Sequence, residues 1–161
     1  MADARFEDGA ERALALRAET AEDLPVISAL VQDCVLPVTE IRYDRARRQL
    51  ALLVNRFRWE DRAAAEADGR AYERVQSLLV VSEVLAVRSQ GVDRAEKDLV
   101  LSILDLVWTP AEDGAGELVL TLAGDGAIAV SVEALAVDLR DVTKPYKAVS
   151  GKVPQHRDDG M

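Results

Sequence analysis

The chain of 161 residues has one cysteine, Cys34, and one histidine, His156. A single cysteine excludes an intramolecular disulfide and fits a reducing compartment, so a cytoplasmic location is expected. One Cys with one His cannot supply the four N or S ligands of a zinc site, and no metal or cofactor is expected. A Cys–His pair would need Cys34 to meet the histidine of the C-terminal stretch, and a Ser–His–Asp triad would use the same histidine and has no GxSxG elbow to support it. Aromatic residues make up only 4% of the chain, and of two Phe and two Trp one of each falls within residues 55–60. No run of about 20 uncharged apolar residues exists, and the first twelve residues lack the apolar stretch of a secretory signal. Cations are fewer than anions, 20 against 29, for a net charge of −9. That balance argues against nucleic acid and anionic membranes as partners. No P-loop, GxGxxG turn or calcium loop occurs; the Asp-Gly pairs at 113–114 and 125–126 have the wrong spacing.

What is present is an apolar fraction of 49% in short alternating runs, enough for one globular domain. Residues 1–12 read as a flexible N-terminus, 13–142 as a single α+β domain and 143–161 as an extended C-terminal tail. Thr20-Ala-Glu-Asp23 is a helix-start signature, and Pro25 is tolerated in a first turn. Leu24, Ile27, Leu30, Val31 and Cys34 then recur at helical spacing, predicting a helix over about 21–35. Cys34 on its apolar side reads as a small core residue. Period-two alternation predicts strands over 13–18, 38–43, 49–60, 75–81, 84–88 and 99–108. A hairpin of 118–122 with 128–132 turns at Gly124-Asp-Gly126, where positive φ is needed. Residues 61–72 read as a surface connection. Residues 135–142 fit either a strand or a helix, and their β-branched content favours the strand. The expected architecture is mostly β: a curved antiparallel sheet, half-barrel or sandwich of about eight strands, with one main helix near the N-terminus. A pleckstrin-homology-like roll is the specific alternative.

One segment concentrates unusual residues: Asn55-Arg-Phe-Arg-Trp-Glu60. Residues 40–62 hold seven arginines against four acids, a basic patch on an acidic protein. Arg42, Asn55, Arg56, Arg58, Trp59 and Glu60 are therefore the candidate ligand-binding residues, since guanidinium groups offer paired donors to a carboxylate or phosphate. The plainer reading makes Phe57 and Trp59 core on one strand face. Arg56 and Arg58 then lie on the opposite face, solvated or paired with cross-strand Glu, and Asn55 bonds backbone. Asp105, alone in an apolar run, is expected to face solvent.

Three stretches together, Asp23-Leu-Pro-Val-Ile-Ser-Ala-Leu-Val-Gln-Asp33, Gln49-Leu-Ala-Leu-Leu-Val-Asn-Arg-Phe-Arg-Trp-Glu60 and Val84-Leu-Ala-Val-Arg-Ser-Gln-Gly-Val-Asp93, resemble an alphaproteobacterial family known as domain of unknown function 2948. The resemblance runs from about residue 13 to 156 and is loosest at 61–72 and in the tail. It implies a bacterial cytoplasmic protein and no particular activity, cofactor or catalytic residue. The residues favour a non-catalytic binding or protein-interaction module, acting through a protein partner or self-association. The alternative is a binder or enzyme for a small anionic metabolite, using the 42–62 hairpin with Glu60 or Asp105 as acid or base.

Overall fold

Apolar residues at every second position turn most of this chain into strands, because each such run can bury one face of a pleated sheet. The computed structural model describes residues 13–93, 95–148 and 151–154. Its elements are β1 (Ala15–Ala18), α1 (Leu24–Leu30), β2 (Cys34–Pro37), β3 (Ile41–Asp44), β4 (Gln49–Phe57), α2 (Arg62–Asp68), β5 (Glu73–Val81), β6 (Val84–Gln90), β7 (Val100–Pro110), β8 (Gly116–Leu122), β9 (Ala127–Val132), β10 (Val137–Asp141) and β11 (Tyr146–Lys147). These eleven strands of the described residues form one antiparallel sheet in the order β1-β10-β5-β4-β2-β7-β8-β9-β6. The short strands β3 and β11 add to β4 and β5.

The sheet branches at β4. One edge of β4 pairs with β5 along Leu50–Phe57. The other edge is shared: Gln49–Leu52 pair with β3, and Asn55 pairs with Val35 of β2. From β2 the sheet continues through β7, β8 and β9 to β6, whereas β3 pairs only with β4 among the described residues and leaves its other edge free of them. The chain returns to the branch where Val84 N–H donates to Arg48 O at 2.9 Å. Alternate residues point into the core from each strand: Leu50, Leu52 and Val54 from β4, Leu118, Leu120 and Leu122 from β8, and Ile128, Val130 and Val132 from β9. Fully burying each Leu or Ile side chain contributes about 1.5–3 kcal/mol.

Several expectations need correction. There are eleven strands rather than about eight, and no single main helix stands near the N-terminus; helix is divided between the seven-residue α1 and α2. The predicted helix of 21–35 is cut short because Asp33 takes a left-handed φ of 61° and its N–H donates to Ile103 O at 2.7 Å. The chain leaves the helix there, and Cys34 falls on β2 rather than on a helix. Cys34 is nevertheless buried in the core, as expected. The start of α1 follows the predicted chemistry in part: Thr20 Oγ1 accepts from Asp23 N–H at 3.2 Å, and Pro25 sits in the first turn. Residues 38–40 form a 3-10 turn before β3, and the strand expected over 49–60 ends at Phe57 in a second 3-10 turn, Trp59–Asp61. The connection 61–72 contains α2, closed by Gly69 at φ 67°. The Gly124–Gly126 hairpin and the strand over 137–141 are present, with Asp125 at φ 71° in the turn. Asp105 is exposed, as expected. The readings on residues 1–12 and His156 lie outside the described residues.

Candidate functional site

Leu50, Leu52 and Val54 set the inward register of β4, and the next inward position is Arg56. Its side chain is 0% exposed. A guanidinium there must be fully bonded or it would cost several kcal/mol. Neighbouring strands supply the partners at their own inward positions, Ser77 on β5 and Asp141 on β10. Arg56 Nη2 donates to Asp141 Oδ1 at 3.0 Å, Nε donates to Ser77 Oγ at 3.0 Å, and Ser77 Oγ donates to Asp141 Oδ1 at 2.6 Å. Glu60, brought back by the 3-10 turn, accepts from Nη1 at 2.9 Å and from Nη2 at 2.8 Å in a fork-on-fork pair. Asp141 Oδ2 also accepts from Leu14 N–H at 3.0 Å, which ties the start of β1 to the same cluster. Burial works against the charge of Arg56. The bonds and charges of Glu60 and Asp141 outweigh it and hold its pKa above the ordinary value.

A second group adjoins the first. Arg58 is buried and pairs with Glu73 across the β4–β5 ladder; Glu60 lies 3.6 Å and Asp61 3.7 Å from it. Arg70 donates to both oxygens of the buried Asp61 at 2.8 Å. These two bonds hold the Asp61 carboxyl below the usual carboxylate range, although burial opposes them. On the other face of β4, Phe57 is fully buried and meets Trp59 edge-on at 4.7 Å and Tyr72 at 5.6 Å. The Trp59 indole N–H donates to Gln32 O at 3.0 Å.

The six sequence-predicted residues thus separate. Asn55, Arg56, Arg58, Trp59 and Glu60 gather at one end of β4. Arg42 is exposed on β3 opposite Ala51, about 16 Å along the strand from the level of Arg56. Arg56 and Arg58 are buried among carboxylates rather than solvated, and Arg58 has the cross-strand Glu partner expected of it, Glu73. Asn55 bonds side chains rather than backbone, donating to Tyr146 Oη at 2.6 Å and accepting from Arg74 Nε at 2.5 Å. Sequence reasoning missed Ser77, Asp141, Asp61, Arg70 and Glu73. The readable signal was a polar residue at an inward position in each of three apolar strands. Cys34 offers no nucleophile, since burial pushes its thiol pKa up to about 12. Among the described residues no group of three or more His, Cys, Asp or Glu is placed to hold a metal ion.

A different feature is open to solvent. The free edge of β3 and the edge strand β6 border a groove of about 500 Å³. Tyr43, Leu50, Leu85 and Val87 line it, together with Arg45, Arg88 and Lys97, and no acid is among the described lining residues. Leu85 is 56% exposed. The Arg45 guanidinium lies over the Tyr43 ring at 5.6 Å, and Arg88 pairs with the Glu117 carboxylate.

Among the described residues no helix is long and apolar enough to cross a membrane. A family model described as "Protein of unknown function (DUF2948)" matches residues 14–156, and the chain belongs to that family. No curated protein matches the chain, and no solved structure does.

Proposed function

We propose that the protein is a non-catalytic interaction module of the bacterial cytoplasm that docks a segment of a protein partner along the outer edge of β6. The observation that carries this reading is the pairing of that edge with the neighbouring groove. Among the described residues, β6 pairs only with β9. Natural edge strands are blunted by shortness, Lys, Pro or inward charges, because a row of unpaired N–H and C=O groups invites another chain. β6 runs for seven residues with no Pro or Lys; its register irregularity is confined to the Val84/Ala86 end, its one cation, Arg88, is engaged by Glu117, and it exposes Leu85 beside an apolar groove. The net charge of −9 supports a protein partner over nucleic acid or an anionic membrane.

The metabolite reading has less behind it. Each guanidinium nitrogen of Arg56 already donates within the protein, to Ser77, Asp141, Phe57 O or Glu60, and an incoming anion would have to displace a carboxylate. The test is a photo-crosslinking amino acid at Leu85 and, as control, at the exposed Val26 of α1, in cells that make the protein natively. A discrete adduct with another protein from Leu85 and none from Val26 is expected. Equal adducts from both positions, or none from Leu85, would defeat the reading. An adduct of the mass of two copies would replace it with self-association.

A further inference from the structure

We infer that the docked segment is an extended strand added to the outer edge of β6, whose groove-facing side chains, every second residue, are apolar against Tyr43 and Val87 and acidic where they meet Arg45 and Lys97. This rests on the interaction reading above and names the chemistry of the partner. Three observations carry it.

The first concerns the backbone. Arg48 already fills the place of a strand partner at the start of β6: Val84 N–H donates to Arg48 O at 2.9 Å, and Val84 O accepts from Arg48 Nε at 3.4 Å. Beyond it, among the described residues, 85–90 make no backbone hydrogen bond outside the β9 ladder. A strand can continue from where Arg48 stops, and a helix laid in the groove would leave those groups unmatched. The second concerns shape. The groove runs beside this edge and is walled on its far side by β3, so alternate side chains of an added strand would enter it against Tyr43 and Val87. The third concerns charge. In a protein of net charge −9 the groove is bordered by three cations and by no described acid. Arg88 is engaged by Glu117, so Arg45 and Lys97, both exposed, are assigned as the acid-reading pair. Such complementarity fixes register and speeds encounter.

The test selects a display library of random peptides of about twelve residues on the full chain. Enriched peptides should carry both apolar and acidic residues on one set of alternate positions, and their binding should shift backbone amide resonances in 85–90 and 41–45. Arg45→Glu/Lys97→Glu should weaken them roughly tenfold at low salt while keeping the melting temperature within about 4 °C of wild type, since both residues are exposed and the Arg45–Tyr43 ring contact is a surface one. N-methylation of alternate peptide amides should abolish binding. Neutral or basic enriched peptides, or binding indifferent to the double charge reversal or to N-methylation, would overturn the inference. So would failure to enrich any peptide, or dodecanoate alone filling the groove and excluding peptide. If the Leu85 crosslink to a protein persists under any of these results, only the strand-and-acid inference falls and the interaction reading stands.

Discussion

Arg56 decides how the end of β4 is built. It stands at an inward position, and two segments distant in sequence, carrying Ser77 and Asp141, converge on it together with the adjoining turn that carries Glu60. Its position was legible in part. Counting by twos from Leu50 through Leu52 and Val54 puts Arg56 on the core side. Phe57 and Trp59 pull the face assignment the other way, because aromatic rings are ordinarily the buried set. Here both faces are covered, so alternation alone could not place the arginine in solvent. Its partners lay 21 and 85 residues away, beyond any local pattern. Arg56→Met should therefore destabilise the fold by about 3–5 kcal/mol, because it strands the buried Asp141 carboxylate. Adding Asp141→Leu should recover part of that loss, since an apolar pair of similar volume is often neutral where a lone buried charge is not. Urea denaturation of the single and double variants measures both. A single variant within about 1 kcal/mol of wild type would show that water or rearrangement satisfies Asp141.

At the scale of elements, the parts that local chemistry controls were the legible ones. The β8–β9 hairpin follows from alternation plus Gly124-Asp-Gly126, and the start of α1 follows from Thr20 and Pro25. The end of α1 was not legible, because the apolar spacing of Leu30, Val31 and Cys34 suits a helix as well as a helix followed by a strand. The break comes from Asp33 in a left-handed conformation, which the chain fixes through a bond to β7 rather than through a glycine. Gly116 shows a different constraint, at the β7–β8 turn. A Cβ there would lie 2.5 Å from Thr109 O and 2.6 Å from Trp108 Cη2. Backbone and a half-buried ring would both have to move, so Gly116→Ala should cost about 1–3 kcal/mol. In a Trp59→Phe background it should also shift the fluorescence of Trp108. Gly124→Ala meets no atom within 4 Å and should cost only the left-handed strain, about 1–2 kcal/mol, with the emission unchanged. Equal emission from the two variants would mean that Trp108 does not rest on Gly116.

At the scale of the molecule, the sheet draws sequence-distant strands together, β1 against β10 through Leu16 and Leu139 and β2 between β4 and β7. Strand order of this kind is a property of the packed whole; a mostly-β, antiparallel class could be read from the sequence, but not which strands are central. The order now assigns a stability gradient. Among the described residues β4, β5, β7 and β8 have partners on both sides, whereas β6 has one partner and β1 is a four-residue strand on the far edge. Amide exchange reports the free energy of local opening. In the isolated protein, the amides of β4, β5 and β8 should exchange at the slow, global limit. Roughly half of those in β6, the ones directed away from β9, should exchange faster by orders of magnitude. A strand docked on β6 should slow that outer half and leave β5 unchanged. Uniformly slow exchange throughout β6 without any partner would show the edge already covered. The row of open hydrogen-bonding groups from which the interaction reading starts would then not exist in solution.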